Sequence, residues 1–145
     1  MGSDPVGGFG SRGDRFPITN GNVRNGGIVA FKIADKAGLP AFEPGWMSRD
    51  MVSPLPPMIL NNVVFAIAGG EYRTTDDKVT AAQRAQRSQP AVLYALDGST
   101  GRELWNSGQA ITSFARGAGP SGGDSQVYVA THDGTLYAFG VPLER

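Results

Sequence analysis

Along most of the chain, apolar residues come in short runs rich in β-branched and aromatic side chains, each ended by Gly, Pro, Asn or Asp. This pattern predicts strands joined by tight turns, since helices would need apolar positions at spacings of three and four. The expected strands are Ile28 to Ile33, Pro57 to Leu60, Val63 to Ala68, Ala91 to Leu96, Glu103 to Asn106, Ile111 to Ala115, Gln126 to Thr131 and Thr135 to Phe139. Asn61 and Asn62 stand between two such runs, and Asp133 with Gly134 between two others. Both pairs tolerate the positive φ of a two-residue hairpin turn. The expected class is all-β.

Two segments break the pattern. Residues 1–27 hold eight glycines and no run long enough for a strand, so they read as a flexible Gly-rich lead to a folded unit at 28–145. The tripeptide Arg12-Gly13-Asp14, known from integrin ligands, is one that any charged glycine-rich loop can produce by chance. Residues 71–90 carry seven charges in twenty positions, and good helix formers fill their centre behind Thr75 as N-cap. A short polar helix or loop inserted outside the sheets is expected there, with partner binding as its functional reading.

The chain also repeats itself. IVAF (Ile28 to Phe31), LYAL (Leu93 to Leu96) and LYAF (Leu136 to Phe139) place their alanines at 30, 95 and 138, intervals of 65 and 43 residues. A four-stranded propeller blade takes about 40 to 45 residues, and the longer interval falls to that length once the charged insertion is set aside. VFAIAGG precedes LYAL as VYVATHDG precedes LYAF, so the insertion falls at a hairpin tip, where insertions are tolerated. Trp46 and Trp105 follow the first two tetrapeptides.

The residues AVLYALDGSTGRELW resemble the tryptophan-docking motif of the quinoprotein-type (pyrroloquinoline-quinone repeat) β-propeller family, A-x-D-x-x-T-G-x-x-x-W. Ala95, Asp97, Thr100, Gly101 and Trp105 match each fixed position. Asp97 and Thr100 can bond backbone groups inside a tight turn, and Gly101 supplies a permissive φ. In the first repeat the resemblance is weaker, with Lys32 where Asp97 stands, although Trp46 is kept. The resemblance implies a partial propeller of about two and a half four-stranded antiparallel blades, in which Trp105 fastens neighbouring blades. The competing role for either tryptophan is stacking on a quinone or sugar. Propellers close with 4 to 8 blades, so the remaining blades, or other copies of the chain, are implied partners. A C-terminal piece of a larger protein is the favoured reading, with LYAFGVPLER as its natural end.

Composition narrows the chemistry. Thirteen Lys and Arg balance thirteen Asp and Glu, which removes the basic footprint of a nucleic-acid binder, and without Cys there is no disulfide or thiolate chemistry. The longest apolar run, Val63 to Ala68, is too short to span a bilayer. His132, the single histidine, has no second His or Cys to make a metal site and reads as a hairpin residue; Asp76 and Asp77 read as solvated. Gly117 to Asp124 lacks the lysine of a phosphate loop.

The best site candidate is Ser48 to Pro57, stiffened by three prolines, where Arg49 and Asp50 either line the mouth of a central channel or form a local ion pair. Trp46, Arg49 and Asp50 are accordingly the candidate cofactor contacts. The resemblance implies a non-catalytic scaffold presenting loops to a ligand or protein. Its alternative is the C-terminal part of an alcohol or sugar dehydrogenase using pyrroloquinoline quinone with calcium. Family members are largely periplasmic or secreted, which sets the expected location.

Overall fold

A computed structural model describes residues 16–140; the expectations for Arg12-Gly13-Asp14 and for the tail beyond Gly140 lie outside the described residues. Three β-sheets follow one another along the chain. The first contains β1 (Ile18–Thr19), β2 (Val29–Lys36) and β3 (Leu39–Met47) in the order β1-β3-β2. The second runs in chain order through β4 (Met58–Leu60), β5 (Val63–Ala68), β6 (Val92–Asp97) and β7 (Glu103–Asn106). The third contains β8 (Ser121–Gly123), β9 (Gln126–Ala130) and β10 (Leu136–Gly140). Helix α1 (Ala81–Arg87) lies in the connection from β5 to β6. The chain is all-β apart from this helix. Among the described residues no helix is long and apolar enough to cross a membrane.

The alternation of side chains along each strand decides how the sheets pack. In the middle sheet Val64, Ala66, Ala68, Tyr94 and Leu96 join Trp46 and Met51 in one buried cluster, with Ala30 of β2 and Ile28 just before it packed against it. The intervening Ile67, Ala91 and Leu93 point the other way, into a second cluster with Val127 and Val129, against which Phe65, Tyr137 and Phe139 pack. The central strands β5 and β6 of the middle sheet are therefore buried on both faces, while Ile59, Leu60 and Leu104 on its edge strands stay exposed.

The three tetrapeptides use their positions alike. First and third residues (Ile28 and Ala30, Leu93) face the following sheet; second and fourth residues (Tyr94 and Leu96, Tyr137 and Phe139) face the preceding one. Ala30 pairs with Trp46 and Ala95 with Trp105, and each pairing is followed at once by a β-bulge. The sequence repeat is thus also a repeat of register and of sidedness.

The chain departs from expectation in several places. β3 is a nine-residue strand where none is expected, because Pro40 and Pro44 mask it. Gly45 is left unpaired at the bulge, and the hairpin turns through Ala37 (φ 55°) and Gly38 (φ 80°). β1 pairs with β3 in parallel, so the first sheet is not purely antiparallel. Residues 16–27, expected to be loose, are held in place: Val23 is buried, and Gly26 admits Pro54 closer than a Cβ would allow, with Ser48 packed tightly on Gly27. Ile111 to Ala115 forms no strand beyond a bridge from Ala115 to Gly70, its apolar side chains filling the core from a loop.

At the sharp turns, Asn61 and Asn62 both take positive φ, as expected. At the β9–β10 turn only Gly134 does; the Gly134 N–H donates to the Thr131 carbonyl and the Thr131 N–H to Thr135, a longer loop than two residues. The helix cap is Thr80, not Thr75, since Thr80 Oγ1 accepts from the Gln83 N–H while the Gln83 side chain accepts from the Thr80 N–H.

Candidate functional site

The joint between the first and second sheets is built around one indole. Trp46, 3 % exposed, donates its Nε1–H to the Gly98 carbonyl at 2.8 Å. Its ring lies on Gly101, where a Cβ would stand 2.7 Å from Cδ2, so glycine is required by contact as well as by its φ of 71°. The turn receiving the ring is shaped by Asp97, whose Oδ1 accepts from the Ser99 and Thr100 N–H groups, while the Gly101 N–H donates to the Asp97 carbonyl. The Ser99 N–H, followed by that of Thr100, holds the Asp97 carboxyl below its ordinary pKa. Asn20 fastens the joint from outside, its amide donating to the carbonyls of Met47 and Thr100 at 2.8 and 2.9 Å. A ring enclosed in this way has no free face for a quinone or a sugar.

Trp105 differs from the fully docked indole expected for it. It is 45 % exposed, and its ring meets Phe139 of the third sheet edge-on with centroids 5.7 Å apart. It therefore reaches across to the neighbouring sheet without being enclosed there. Beside it opens an apolar cleft of about 280 Å³ lined by Phe65, Ala95, Val127 and Phe139. In sequence, the tetrapeptide ending at Phe139 is followed by GVPLE and not by the DGSTG that receives Trp46.

Arg49 and Asp50 do not pair with each other. Arg49 bonds Glu103 of β7 and sets its guanidinium 4.8 Å from the centre of the Tyr94 ring, leaving Nε buried without a partner. The Glu103 hydrogen bond raises the Arg49 pKa despite partial burial, and burial raises that of Tyr94. Asp50 points the other way. Its carboxylate accepts from the backbone N–H groups of Arg24, Asn25 and Gly26 and from the Asn25 amide. Burial opposes its charge, but these donors outweigh burial and hold the carboxyl below its usual range. Ser48 anchors the segment, accepting from the Ile28 N–H and donating to the Arg49 carbonyl. Both charged residues border an open polar cleft of about 510 Å³ with Asn20, Asn22, Arg102 and Glu103. Sequence reasoning missed Glu103 and the Asn25 loop, which no local spacing connects to Arg49 and Asp50.

The connections between strands are laced together at one place. The Gly69 N–H donates to Ser53, the Ala115 N–H to Gly69, the Ala91 N–H to Ser113 and the His132 N–H to Phe114. The helical insertion, the segment entering β4 and the segment entering β8 thus share one surface. His132 stacks on Phe114 at 4.4 Å there, beside a cleft bordered by Glu71, Arg84, Ser88 and Arg116. Asp76 and Asp77 are exposed, with Asp76 capping Lys78 of its own loop. Among the described residues no three His, Cys, Asp or Glu side chains are placed to share a metal ion.

Comparison of the chain with protein-family models, with curated proteins and with solved structures gave no match.

Proposed function

We propose that the chain is a run of consecutive blades of a quinoprotein-type β-propeller and acts as a non-catalytic scaffold, its connecting segments presenting a surface for ligand or protein binding. The observation that carries this reading is the Trp46 joint. An indole that pairs with the alanine of one repeat docks on the Asp97-to-Gly101 turn of the next, and the sidedness of the tetrapeptides recurs through all three sheets. The laced surface formed by the insertion 71–90, the loops entering β4 and β8 and the His132 turn is where a partner would be met. Further blades, from a longer chain or from other copies, would complete the ring, and the family resemblance carries a periplasmic or secreted location.

The residues present do not fit pyrroloquinoline quinone with calcium. Trp46 is enclosed, Arg49 is committed to Glu103 and Tyr94, and the Asp50 carboxylate is occupied by backbone donors. No catalytic step is derived through that group. Adding the quinone and calcium to the protein, with an alcohol or aldose and a redox dye, tests the proposal. Unchanged quinone absorbance and no dye reduction are expected; saturable binding with turnover would overturn the non-catalytic reading.

A further inference from the structure

The surface shared by the helical insertion and the loops entering β4 and β8 holds a small cleft of about 220 Å³. Separate stretches of the chain line it: α1 with the half-buried Arg84 and Ala85, the loop before β8 with Phe114 and Arg116, and the β9–β10 turn with His132. Its volume lies below that of pockets for drug-sized molecules, so its occupant is small.

Charge in the cleft is uneven. Its one carboxylate, Glu71, already has Arg73 Nε at 3.2 Å from Oε2, while Arg116 stands 3.9 Å from Oε1, beyond hydrogen-bond reach. Arg84 has no acidic partner among the described residues. The acidic groups next along the chain are engaged in their own turns: Asp133 accepts from Thr131 Oγ1 and the Thr135 N–H, and Asp76 from the Lys78 N–H. The carbonyls at the end of α1, which would repel an anion, are covered, since the Ser88 N–H donates to those of Arg84 and Ala85 and its hydroxyl to that of Arg84. Two guanidinium groups therefore border one small space, against a single carboxylate that a third arginine neutralises. Guanidinium forks fit carboxylate and phosphate alike. The side chains of Ala81, Ala85 and Phe114 beside them favour a carboxylate carried on a ring or a short hydrocarbon chain.

We propose that this cleft binds a carboxylate with a small apolar body, Arg84 and Arg116 holding the carboxylate while Ala85 and Phe114 receive the body. The proposal rests on the reading of this face as a binding surface and names the chemistry it recognises. Glu71 then acts as a competitor held inside the cleft, which fixes the sign of its substitution.

Titration of the ¹⁵N-labelled full chain with sodium benzoate at constant ionic strength, followed by nuclear magnetic resonance, tests it. Saturable shifts of the Arg84, Ala85, Phe114 and His132 amide signals are expected, with none from benzamide and weaker ones from inorganic phosphate. Arg84→Gln and Arg116→Gln should each weaken benzoate binding roughly threefold to fivefold, the weight of an exposed ion pair, and Glu71→Gln should tighten it by roughly twofold or more. Benzoate without saturation, benzamide binding equally, phosphate binding more tightly, arginine variants that bind as well as the wild type, or a Glu71→Gln chain that binds less well would overturn the proposal. All of these leave the Trp46 joint and the quinone assay untouched. An acetylated, amidated tripeptide with a central glutamate, run beside benzoate, tells whether a peptide or a free acid carries the group: the tighter binder names the source. Should a variant fail to fold, the wild type alone decides: saturating benzoate should slow tryptic cleavage at Arg84 relative to Arg87, and an unchanged ratio would contradict the contact.

Discussion

Replacing Trp46 by phenylalanine keeps an aromatic ring at the first joint and removes the indole N–H. The lost hydrogen bond to the Gly98 carbonyl is worth about 1 kcal/mol net, and an acceptor left unpaired in an enclosed site costs roughly 1–3 kcal/mol more. The smaller ring also uncovers part of Gly101, so the whole change is expected to cost roughly 2–4 kcal/mol. Trp105 provides the internal control: its ring is half exposed and its N–H makes no hydrogen bond among the described residues. Trp105→Phe should cost within about 0.5 kcal/mol, as surface substitutions do. Urea unfolding followed by far-ultraviolet circular dichroism separates them. With a slope of about 2 kcal/mol/M, Trp46→Phe lowers the midpoint by roughly 1–2 M and Trp105→Phe by less than about 0.3 M. Equal shifts, or a larger one at Trp105, would refute the reasoning.

Three further outcomes follow from local geometry. Ala37 holds a φ of 55° that asparagine adopts at lower cost, so Ala37→Asn should raise stability by about 1 kcal/mol, read as a higher urea midpoint. The carboxyl groups of Asp50, Asp97, Glu103 and Asp133 are all held below their ordinary values in the folded chain. A depressed folded pKa adds stability above the unfolded value and loses it as pH falls through the folded one. The urea midpoint should therefore drop as pH falls below about 4, and Asp50→Asn should flatten that slope. Thr80→Ala removes the capping box of a helix with no buried residue, so tryptic cleavage at Arg84 and Arg87 should quicken while the global unfolding free energy changes by less than about 0.5 kcal/mol.

Much of the middle sheet was legible because its strands are bounded by strong turn residues. Val63 to Ala68 and Glu103 to Asn106 appear with the expected limits, and the Asn61-Asn62 turn takes the expected backbone form. β3 was hidden by its prolines and β8 by its glycines, residues that weaken the strand signal while occupying a bulged or edge position. Ile111 to Ala115 misled because burial, which produces an apolar run, does not distinguish a core loop from a strand. At the site, the Asp97-to-Gly101 turn was readable from its own residues. Which indole it receives was not, because the Trp46 contact spans 52 residues, and the partners of Arg49 and Asp50 lie 54 and about 25 residues away.

The central claim is that the first and second sheets are joined by the Trp46 indole of one seated on the Gly101 turn of the other. Nuclear magnetic resonance of the labelled chain reads this contact directly. The account predicts nuclear Overhauser contacts between the six-membered ring of Trp46 and the Gly101 α-protons, an upfield ring-current shift of those protons, and a Trp46 indole N–H that exchanges with solvent far more slowly than that of Trp105. Two indole N–H groups exchanging alike, with no Trp46 to Gly101 contact, would contradict it.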